Sequence, residues 1–209
     1  MDILYRDKFC TVAQKDIGIV CEDTGTNSLP ALVREACGGE AYPVHRIDKV
    51  AGGAVLLGNS PQYAEKLRAL GFDKEYLFIT VGSLPEKSGV LSDYMFHDTQ
   101  KNKSYVVKRM RRGVREASLE YTVLSEKEGY ALVKAKMITG RTHQLRVHCA
   151  YVGCPILGDP QYGTPPSRAF SEEAGLFTQQ LCAYSLEFQH PITGKKMHLL
   201  SRMDTKHLK

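Results

Sequence analysis

SLEYTVLSEKEGYALVKAKM, residues 118–137, contains two strand-like segments joined by a short turn. Over 118–124 and 130–137, β-branched, aromatic and other apolar residues alternate with polar ones, as in strands with one buried face. Because such strands follow one another with few helices between them, the sequence predicts an α+β fold: a mixed, mainly antiparallel central sheet, flanked by a few helices and opened by a cleft. Strand patterns recur at 3–5, 9–12, 54–57, 74–81, 105–107, 181–188 and 197–200.

Helices are predicted from capping residues and apolar spacing. Apolar residues at helical spacing predict a helix over 28–37, and the pair Ser60-Pro61 supplies an N-cap and a first-turn proline for another that ends at Gly71. The proline-rich and polar stretch 165–174 predicts a surface loop.

Composition places the chain among ordinary globular proteins. Its 209 residues are 43% hydrophobic and 24% charged. We expect a single domain over residues 1–209, in one piece or as two lobes around a cleft. No run of about 18 apolar residues occurs and no apolar leader follows Met1, so the sequence predicts a cytoplasmic protein without a membrane segment. The six cysteines are scattered without a CxxC pair, which indicates reduced thiols.

Positive charge is concentrated in one short part of the chain. The formal net charge is +5, which is compatible with a polyanionic partner but common in other proteins. Around Tyr105, the basic cluster indicates either a surface that follows phosphates or a solvated hairpin tip, and both interpretations stay open. The basic cluster consists of Lys101, Lys103, Lys108, Arg109, Arg111, Arg112 and Arg115.

The segment HRID, residues 45–48, places charged and polar groups beside an apolar strand. Asp48 precedes the pair Gly52-Gly53, whose lack of side chains would let a bulky ligand come close. Asp48 is therefore a candidate for a cleft-facing carboxylate. The alternative is a carboxylate that caps a turn or pairs with Lys49 at the surface.

The segment GRTHQLRVH, residues 140–148, is the second concentration of polar groups. Thr142 is predicted as the N-cap of a helix over 143–152, and Gly153 as the glycine that ends it. An arginine in the first turn of that helix, Arg146, is suited to a bidentate grip on a carboxylate or phosphate.

Five ordered segments, taken together, carry a resemblance to a known family. The chain resembles the RluA-type RNA pseudouridine synthases, which modify uridines in bacterial ribosomal and transfer RNA. The resemblance implies a stand-alone catalytic domain with the pseudouridine synthase fold, RNA (rRNA or tRNA) as the partner, and no cofactor or metal. The segments are 45–48 with the following glycine pair, 74–76, 140–148, 158–163 and 181–191.

The resemblance also implies roles for single residues. Asp48 matches the catalytic aspartate, Tyr76 the aromatic residue that stacks on the target base, and Arg146 the arginine that forms a salt bridge with the aspartate. Arg46 matches the residue that fills the gap left by the flipped nucleotide. Supporting substrate contacts are expected from His45, Arg141, His143 and Gln144.

The expected chemistry places a strong demand on Asp48. A dry pocket would raise the pKa of this carboxyl, whereas a hydrogen-bonded guanidinium lowers it by roughly 1 to 3 units. Arg146 would therefore keep Asp48 charged. A base stacked in a helix cannot be reached, so the target uridine must first be flipped out, and stacking on Tyr76 would then hold it.

The sequence departs from the family pattern at two places. QKDIG, residues 14–18, stands where the family usually has Asn-Lys-Pro-x-Gly, and Ala51-Gly52 replaces the usual Thr-Ser. These changes put rate or substrate in doubt rather than reaction type. Because strands begin at residue 3, we expect no N-terminal accessory RNA-binding domain, and we expect a monomer without an obligatory protein partner.

Two other functions remain as alternatives. The first is a catalytically weak or inactive RNA-binding protein on the same scaffold, for which the two departures would be the sign. The second is a hydrolase that uses a cysteine and histidine pair or a metal, but His143 and His148 are off a shared helical face and no HExxH motif occurs.

Overall fold

The computed structural model describes residues 1–127 and 129–203, and these fall into two compact units. The first unit contains 1–76 and 182–203, and the second contains 77–127 and 129–181. In chain order the elements are β1 Asp2–Arg6, β2 Cys10–Lys15, α1 Leu29–Cys37, β3 Tyr42–Pro43, β4 Gly52–Gly58, α2 Pro61–Leu70, β5 Phe72–Val81, β6 Ser88–Asp98, β7 Lys103–Val107, β8 Val114–Lys127, β9 Tyr130–Met137, α3 Gln144–Tyr151, α4 Pro165–Glu173, β10 Leu181–Gln189 and β11 Lys196–Leu200.

The first unit is built on the strand order β1-β2-β4-β10, with β3 paired to β4 and β11 paired to β10. The pairing of β4 with β10 is parallel, and the other four pairings are antiparallel. Apolar residues from β2, β4, α2 and β10 pack into one core around Leu56 and Leu186. The buried strand that the sequence predicts after residue 53 is the centre of this sheet.

Gly53 explains how β4 and β10 approach each other. Its φ is +120°, and a Cβ at this position would lie 2.4 Å from the carbonyl oxygen of Ala183 on β10. The missing side chain makes room for the neighbouring backbone. Gly53 thus has a structural role beside β10, and the expected approach of a ligand to the Gly52-Gly53 pair stays a prediction.

Both helices of the first unit match the sequence predictions. α1 begins after Ser28, whose hydroxyl accepts a hydrogen bond from the backbone N–H of Ala31, and its C-cap is Gly38. α2 begins after Ser60, with a proline in the first turn, and its C-cap is Gly71. The cap residues thus define both ends of each helix.

The second unit contains the antiparallel order β9-β8-β6-β7. Residues 118–137 contain most of β8 and all of β9, so the predicted hairpin is confirmed. β6 was not predicted, since SGVLSDYMFHD lacks a clean alternation. Val147 of α3 packs against Met95 and Ala117 of this sheet.

The helices of the second unit differ from prediction at two places. The N-cap of α3 is His143, in the left-handed conformation with φ 55°, and not Thr142. The predicted loop 165–174 forms helix α4, because Thr164 caps it and prolines occupy its first turn. A proline pair at a helix start is compatible with helix, since its missing N–H groups would be unsatisfied there in any case.

The first unit has strands of mixed direction, the second an antiparallel order, and the described residues contain four helices, which confirms the α+β class. All six cysteines are free thiols, and five of them are buried. Among the described residues, no helix is both long and apolar enough to span a membrane.

Candidate active site

Asp48 lies in the connection between β3 and β4, at the first position of a tight turn. The backbone N–H of Ala51 donates to the carbonyl oxygen of Asp48 at 3.0 Å, which closes the turn before β4 begins. The Asp48 residue is half-buried. The rigid start of β4 therefore fixes the position of this carboxylate.

Lys15 anchors the same turn from the inside of the first unit. It is 1% exposed, and its Nζ donates to the carbonyl oxygens of Asp16 at 3.0 Å, Ile19 at 2.9 Å and Lys49 at 3.4 Å. Burial lowers the pKa of Lys15 to about 8, against the opposing charges of Cys21, Asp48 and Asp16. This buried cation ties the loop after β2 to the turn that carries Asp48.

Tyr76 and Lys74 lie on β5 in the same unit. The Lys74 Nζ lies 5.8 Å from the centroid of the Tyr76 ring, 5.6 Å from that of Phe72, and donates to the carbonyl oxygen of Arg46 at 3.4 Å. Burial lowers the pKa of Lys74 to about 8, and the nearby Cys21 and Asp48 oppose this shift.

The Tyr76 hydroxyl stays protonated across the physiological range. Burial raises its pKa, and the negative charge of Asp48 raises it further. The structure thus brings Asp48 and Tyr76 into one electrostatic neighbourhood. Their expected roles in catalysis and stacking stay predictions.

Arg46 and His45 precede Asp48 and face different surroundings. Arg46 is exposed and forms an ion pair with Glu22. His45 Nε2 accepts a hydrogen bond from the backbone N–H of Leu56 at 3.2 Å, and its ring lies 4.7 Å from Phe72. Burial, and then the charge of Lys74, lowers the pKa of His45 well below its usual value. His45 is thus a neutral ring that supports the Asp48 segment.

Arg146 belongs to the second unit, where it forms a buried ion pair. Its Nε and Nη2 donate to the two carboxylate oxygens of Asp159 at 2.8 and 2.9 Å, and Nη2 also donates to Gln161 Oε1 at 3.3 Å. The guanidinium carbon lies 4.8 Å from the centroid of the Tyr162 ring. The predicted salt bridge from Arg146 to Asp48 joins residues of different units and stays a prediction.

The carboxylate of Asp159 organises the loop after α3. Burial would raise the pKa of Asp159, but the hydrogen bonds and charge of Arg146 and the backbone N–H groups of Tyr162 and Gln161 hold it below its usual value. One carboxylate therefore fixes both the guanidinium and the following turn.

The remaining predicted substrate contacts lie around the start of α3. His143 Nδ1 is 2.9 Å from the hydroxyl of Tyr162, which accepts from the backbone N–H of Ser104 at 2.8 Å. Gln144 is 2% exposed, and its amide bonds to Thr139 and to the backbone of Ser118 and Arg141. Both residues take part in the internal structure of the second unit.

Arg141 is partly exposed and anchored by one edge. Its Nε donates to the carbonyl oxygen of Glu116 on β8 at 2.9 Å, which leaves the outer amino groups of the guanidinium for other partners. Of the four predicted supporting contacts, Arg141 has the geometry best suited to an external ligand.

Two contributions to the site were not predicted from sequence. The first is Lys15, since its carbonyl partners come from loops that only folding brings together. The second is Asp159, which lies inside the quoted segment 158–163 but had no assigned task. The burial of Arg146, which the structure shows, is what requires a partner carboxylate.

Among the described residues, Asp7, Cys10 and His190 form a group with potential metal ligands within 4.8 Å of one another. The Asp7 carboxylate already accepts from the backbone N–H groups of Phe9 and Cys10, from the Tyr5 hydroxyl and from His190 Nε2. His190 Nδ1 accepts from the backbone N–H groups of residues 192 and 193. This group is therefore a satisfied hydrogen-bond network that joins β1, β2 and β10.

Comparison with known proteins bears on what these groups do. The model of a family described as RNA pseudouridylate synthase matches residues 10–151. The ribosomal large subunit pseudouridine synthase C of Haemophilus ducreyi is 32% identical over 217 residues, covering 99% of this chain and 67% of that protein. The tRNA pseudouridine synthase C of Pasteurella multocida is 28% identical, covering 98% of this chain and 92% of that protein.

A solved structure agrees with the sequence matches. The human RNA pseudouridylate synthase domain containing 4 superposes with a TM-score of 0.77 at 26% sequence identity. The match covers 99% of this chain and 90% of the human one. This chain thus shares the fold of a solved pseudouridylate synthase domain.

Proposed function

Since this chain belongs to the RNA pseudouridylate synthase family, we propose that it modifies uridines of ribosomal or transfer RNA with Asp48 as its catalytic carboxylate. The chain is an RNA pseudouridine synthase, an enzyme that isomerises uridine in RNA to pseudouridine. The choice of RNA class is supported by its relatives, of which one is named for the large ribosomal subunit and another for tRNA.

The observation that carries the assignment of Asp48 is the electrostatic neighbourhood of its carboxylate. Its charge opposes the lowering of the pKa values of Lys15 and Lys74 by burial and adds to the rise in the pKa of Tyr76, all in the first unit. The two lysines place positive charge near the carboxylate, and the phenol supplies an aromatic face beside it. Two hydrogen bonds to the carbonyl oxygen of Lys49, from Lys15 Nζ and from the backbone N–H of Gly18, tie the Asp48 turn to the loop after β2 and support the fixed position that catalysis needs.

The reaction makes specific demands on this carboxylate. The bond from the sugar to nitrogen 1 of uracil breaks, the detached base turns over, and carbon 5 bonds to the sugar while its hydrogen is lost and nitrogen 1 gains one. An ionised Asp48 acts as nucleophile or base in this sequence. The reaction involves no net oxidation or reduction, so the side chains alone supply what it needs.

Tyr76 and Arg46 serve the flipped nucleotide in this proposal. A neutral phenol stacks on the extruded uracil, which is worth about 1–3 kcal/mol. The raised pKa of Tyr76 supports this role, because burial and Asp48 keep the ring uncharged. Arg46, exposed and paired only with a surface acid, exchanges Glu22 for the gap in the RNA stack.

The role that the family resemblance gives to Arg146, a salt bridge to Asp48, stays a prediction. Within its own unit the guanidinium is oriented by Asp159 and covered by Tyr162. Such second contacts are what hold a functional side chain in one orientation. Arg141, His143, Gln144 and His45 are supporting residues in the same proposal.

The proposal also assigns the protein to the cytoplasm, as a monomer that needs no cofactor, metal or obligatory protein partner. Light scattering of the purified protein, with and without RNA, tests the oligomeric state. Isomerisation after treatment with a chelator tests the metal assignment, and a loss of activity that added zinc or magnesium restores would overturn it.

The experiment that tests the proposed function is mapping of pseudouridines in total RNA. A strain without this gene should lose specific pseudouridines in rRNA or tRNA, and the wild-type gene should restore them. The purified protein should form the same pseudouridines in RNA from the deleted strain. Unchanged maps together with an inactive purified protein that still binds RNA would favour the alternative of an RNA-binding protein on this scaffold.

A further inference from the structure

A cavity of about 260 Å³ lies in the second unit, and Arg141 is the one residue of the proposed function among those that line it. Its walls come from β6, β7, β8 and the segment before α3. No Asp or Glu of the described residues lines it. The polar and glycine residues that line it include His97, Ser104, Arg115, Gly140, Arg141 and Thr142.

Two guanidinium groups supply the charge of this cavity. Arg141 donates from its Nε to the carbonyl oxygen of Glu116, which fixes the orientation of the guanidinium. Its outer amino groups remain available to a ligand. Arg115 is exposed on β8. Within residues 1–127 and 129–203, neither guanidinium forms a salt bridge with a carboxylate. Two cations beside a cavity without an acid favour an anionic ligand.

A hydrogen-bond chain holds another part of the lining in place. The hydroxyl of Ser104 donates to the carbonyl oxygen of Thr142 at 2.7 Å and lies 3.0 Å from His97 Nδ1. Since Ser104 has given its hydrogen to Thr142, Nδ1 of His97 must donate to Ser104. The wall is thus organised before any ligand arrives, which lowers the ordering cost of binding.

The basic cluster of the sequence leads to this cavity. The loop from β7 to β8 carries Lys108, Arg109, Arg111 and Arg112 and continues directly through Gly113 into Arg115. The Arg111 guanidinium carbon lies 5.7 Å from the centroid of the Phe96 ring. The end of the basic cluster at Arg115 lines a recess. This favours the interpretation as a surface that follows phosphates over that of a uniformly solvated hairpin tip.

We propose that this cavity binds a phosphate group of the RNA backbone, with Arg115 and Arg141 as the cationic ligands. The inference rests on the proposed function, since phosphodiesters are the anions that an RNA-modifying enzyme meets. A guanidinium offers paired N–H donors that match phosphate oxygens, and a recess weakens screening by salt. The site positions RNA without reading its sequence.

The first experiment measures the affinity of a labelled oligouridine over a range of salt concentrations. Arg115→Gln should weaken binding roughly tenfold at about 0.1 M salt, and the slope of log K against log salt should fall by about 0.7–0.9. Arg168→Gln is the matched control, because Arg168 is an exposed arginine of the same unit on α4. Its affinity and slope should stay much closer to the wild-type values.

A second variant tests the cavity without removing charge. A Cβ at Gly140 meets no other atom within 4 Å and the residue has no positive φ, so Gly140→Leu fills space with little strain. It should weaken oligouridine binding several-fold while thermal unfolding stays close to wild type. Equal effects of Arg115→Gln and Arg168→Gln, with no effect of Gly140→Leu, would show uniform surface attraction and overturn the proposal.

The source of the phosphate is tested by NMR of the His97 ring. Oligouridine should shift the His97 signals, and Arg115→Gln should abolish the shift. Inorganic phosphate at the same concentration of phosphate groups should shift them much less. If inorganic phosphate shifts them equally and oligouridine does not displace it, the cavity is a site for free anions instead. Isomerisation by the wild-type protein is measured in parallel. If the cavity does not bind phosphate but the wild-type protein is active, only the cavity proposal is wrong; if the wild-type protein is inactive, the proposed function is wrong.

Discussion

The two charged groups to which the family resemblance gives the main roles have opposite surroundings. Arg146, in the second unit, is 3% exposed and bound to Asp159 through two short hydrogen bonds. Asp48, in the first unit, is half-buried. Its charge opposes the lowering of the pKa values of Lys15 and Lys74 by burial, and both lysines donate to backbone carbonyls. The second unit thus contains a buried ion pair, and the first unit a half-buried carboxylate in the field of two lysines.

The difference separates stability from reactivity. A closed, buried pair is costly to break, because the remaining charge has no solvent to stabilise it. A half-buried carboxylate near two lysines, in contrast, keeps its access to a substrate. Changes around Arg146 should therefore act first on folding, and changes at Asp48 on chemistry.

The largest expected effect on stability is that of Arg146→Met. It leaves the Asp159 carboxylate, whose side chain is 0% exposed, without its cation. We expect a loss of about 3–5 kcal/mol in the free energy of unfolding, measured by urea denaturation. Arg168→Met, at an exposed position, is the control and should change stability by less than about 0.5 kcal/mol.

The double variant Arg146→Met, Asp159→Leu sharpens this test. Removing both charges should recover much of the lost stability, since no buried charge is left alone. If Arg146→Met is as stable as wild type, the buried pair of Arg146 and Asp159 does not stabilise the second unit.

The next effect is that of Lys15→Met. Three carbonyl oxygens lose the hydrogen bond from Lys15 Nζ, and at about 1 kcal/mol each the free energy of unfolding should fall by about 2–3 kcal/mol. Because the carbonyl of Lys49 lies in the Asp48 turn, turnover should fall as well, even at temperatures where the variant is folded. Lys8→Met, an exposed lysine of the same unit, is the control; an equally small effect of both variants would refute the anchoring role of Lys15.

Asp7 shows that the first unit also contains a closed carboxylate. Burial would raise its pKa, but hydrogen bonds from Cys10, Phe9, His190 and Tyr5 lower it to about 2. The unfolded chain therefore binds more protons between about pH 4 and 2, so stability should fall by about 2 kcal/mol as the pH drops through this window. Urea denaturation at several pH values measures this, and Asp7→Asn should remove most of the dependence.

The smallest expected effect on stability is that of Arg46→Ala. Its ion pair with Glu22 is exposed, and such pairs contribute about 0–1 kcal/mol. The affinity for substrate RNA should nevertheless fall, since the proposed place of this side chain is in the RNA. Glu22→Ala is the control: it breaks the same ion pair and should leave RNA affinity intact. Equal losses of affinity would point to the ion pair itself.

Sequence patterns predicted the parts of the fold that local chemistry decides. The strands of the opening segment have their own alternation, and Ser60 with Gly71 defines α2 without help from the rest of the chain. The region 165–174 was predicted wrongly as a loop, because its prolines were weighed without the capping threonine before them. β6 depends on pairing with β7 and β8 rather than on its own pattern.

The candidate site was predictable in its residues and less so in its contacts. The family resemblance identified Asp48 and Tyr76, and the structure brings both into one unit. The anchoring of Lys15 could not be predicted, since its carbonyl partners lie in loops up to 34 positions away. The pairing of Arg146 with Asp159, 13 positions apart, depends on how the loop after α3 folds back.

Single-turnover formation of pseudouridine by Asp48→Asn, with enzyme in excess over RNA, tests the central claim most directly. Asparagine keeps the size of the side chain but cannot act as a base or nucleophile, so the rate should fall by at least about 10³-fold. RNA affinity should stay within several-fold, and stability within about 0.5 kcal/mol. Asp2→Asn, an exposed acid of the same unit, should be fully active. A rate for Asp48→Asn within tenfold of wild type would contradict the account.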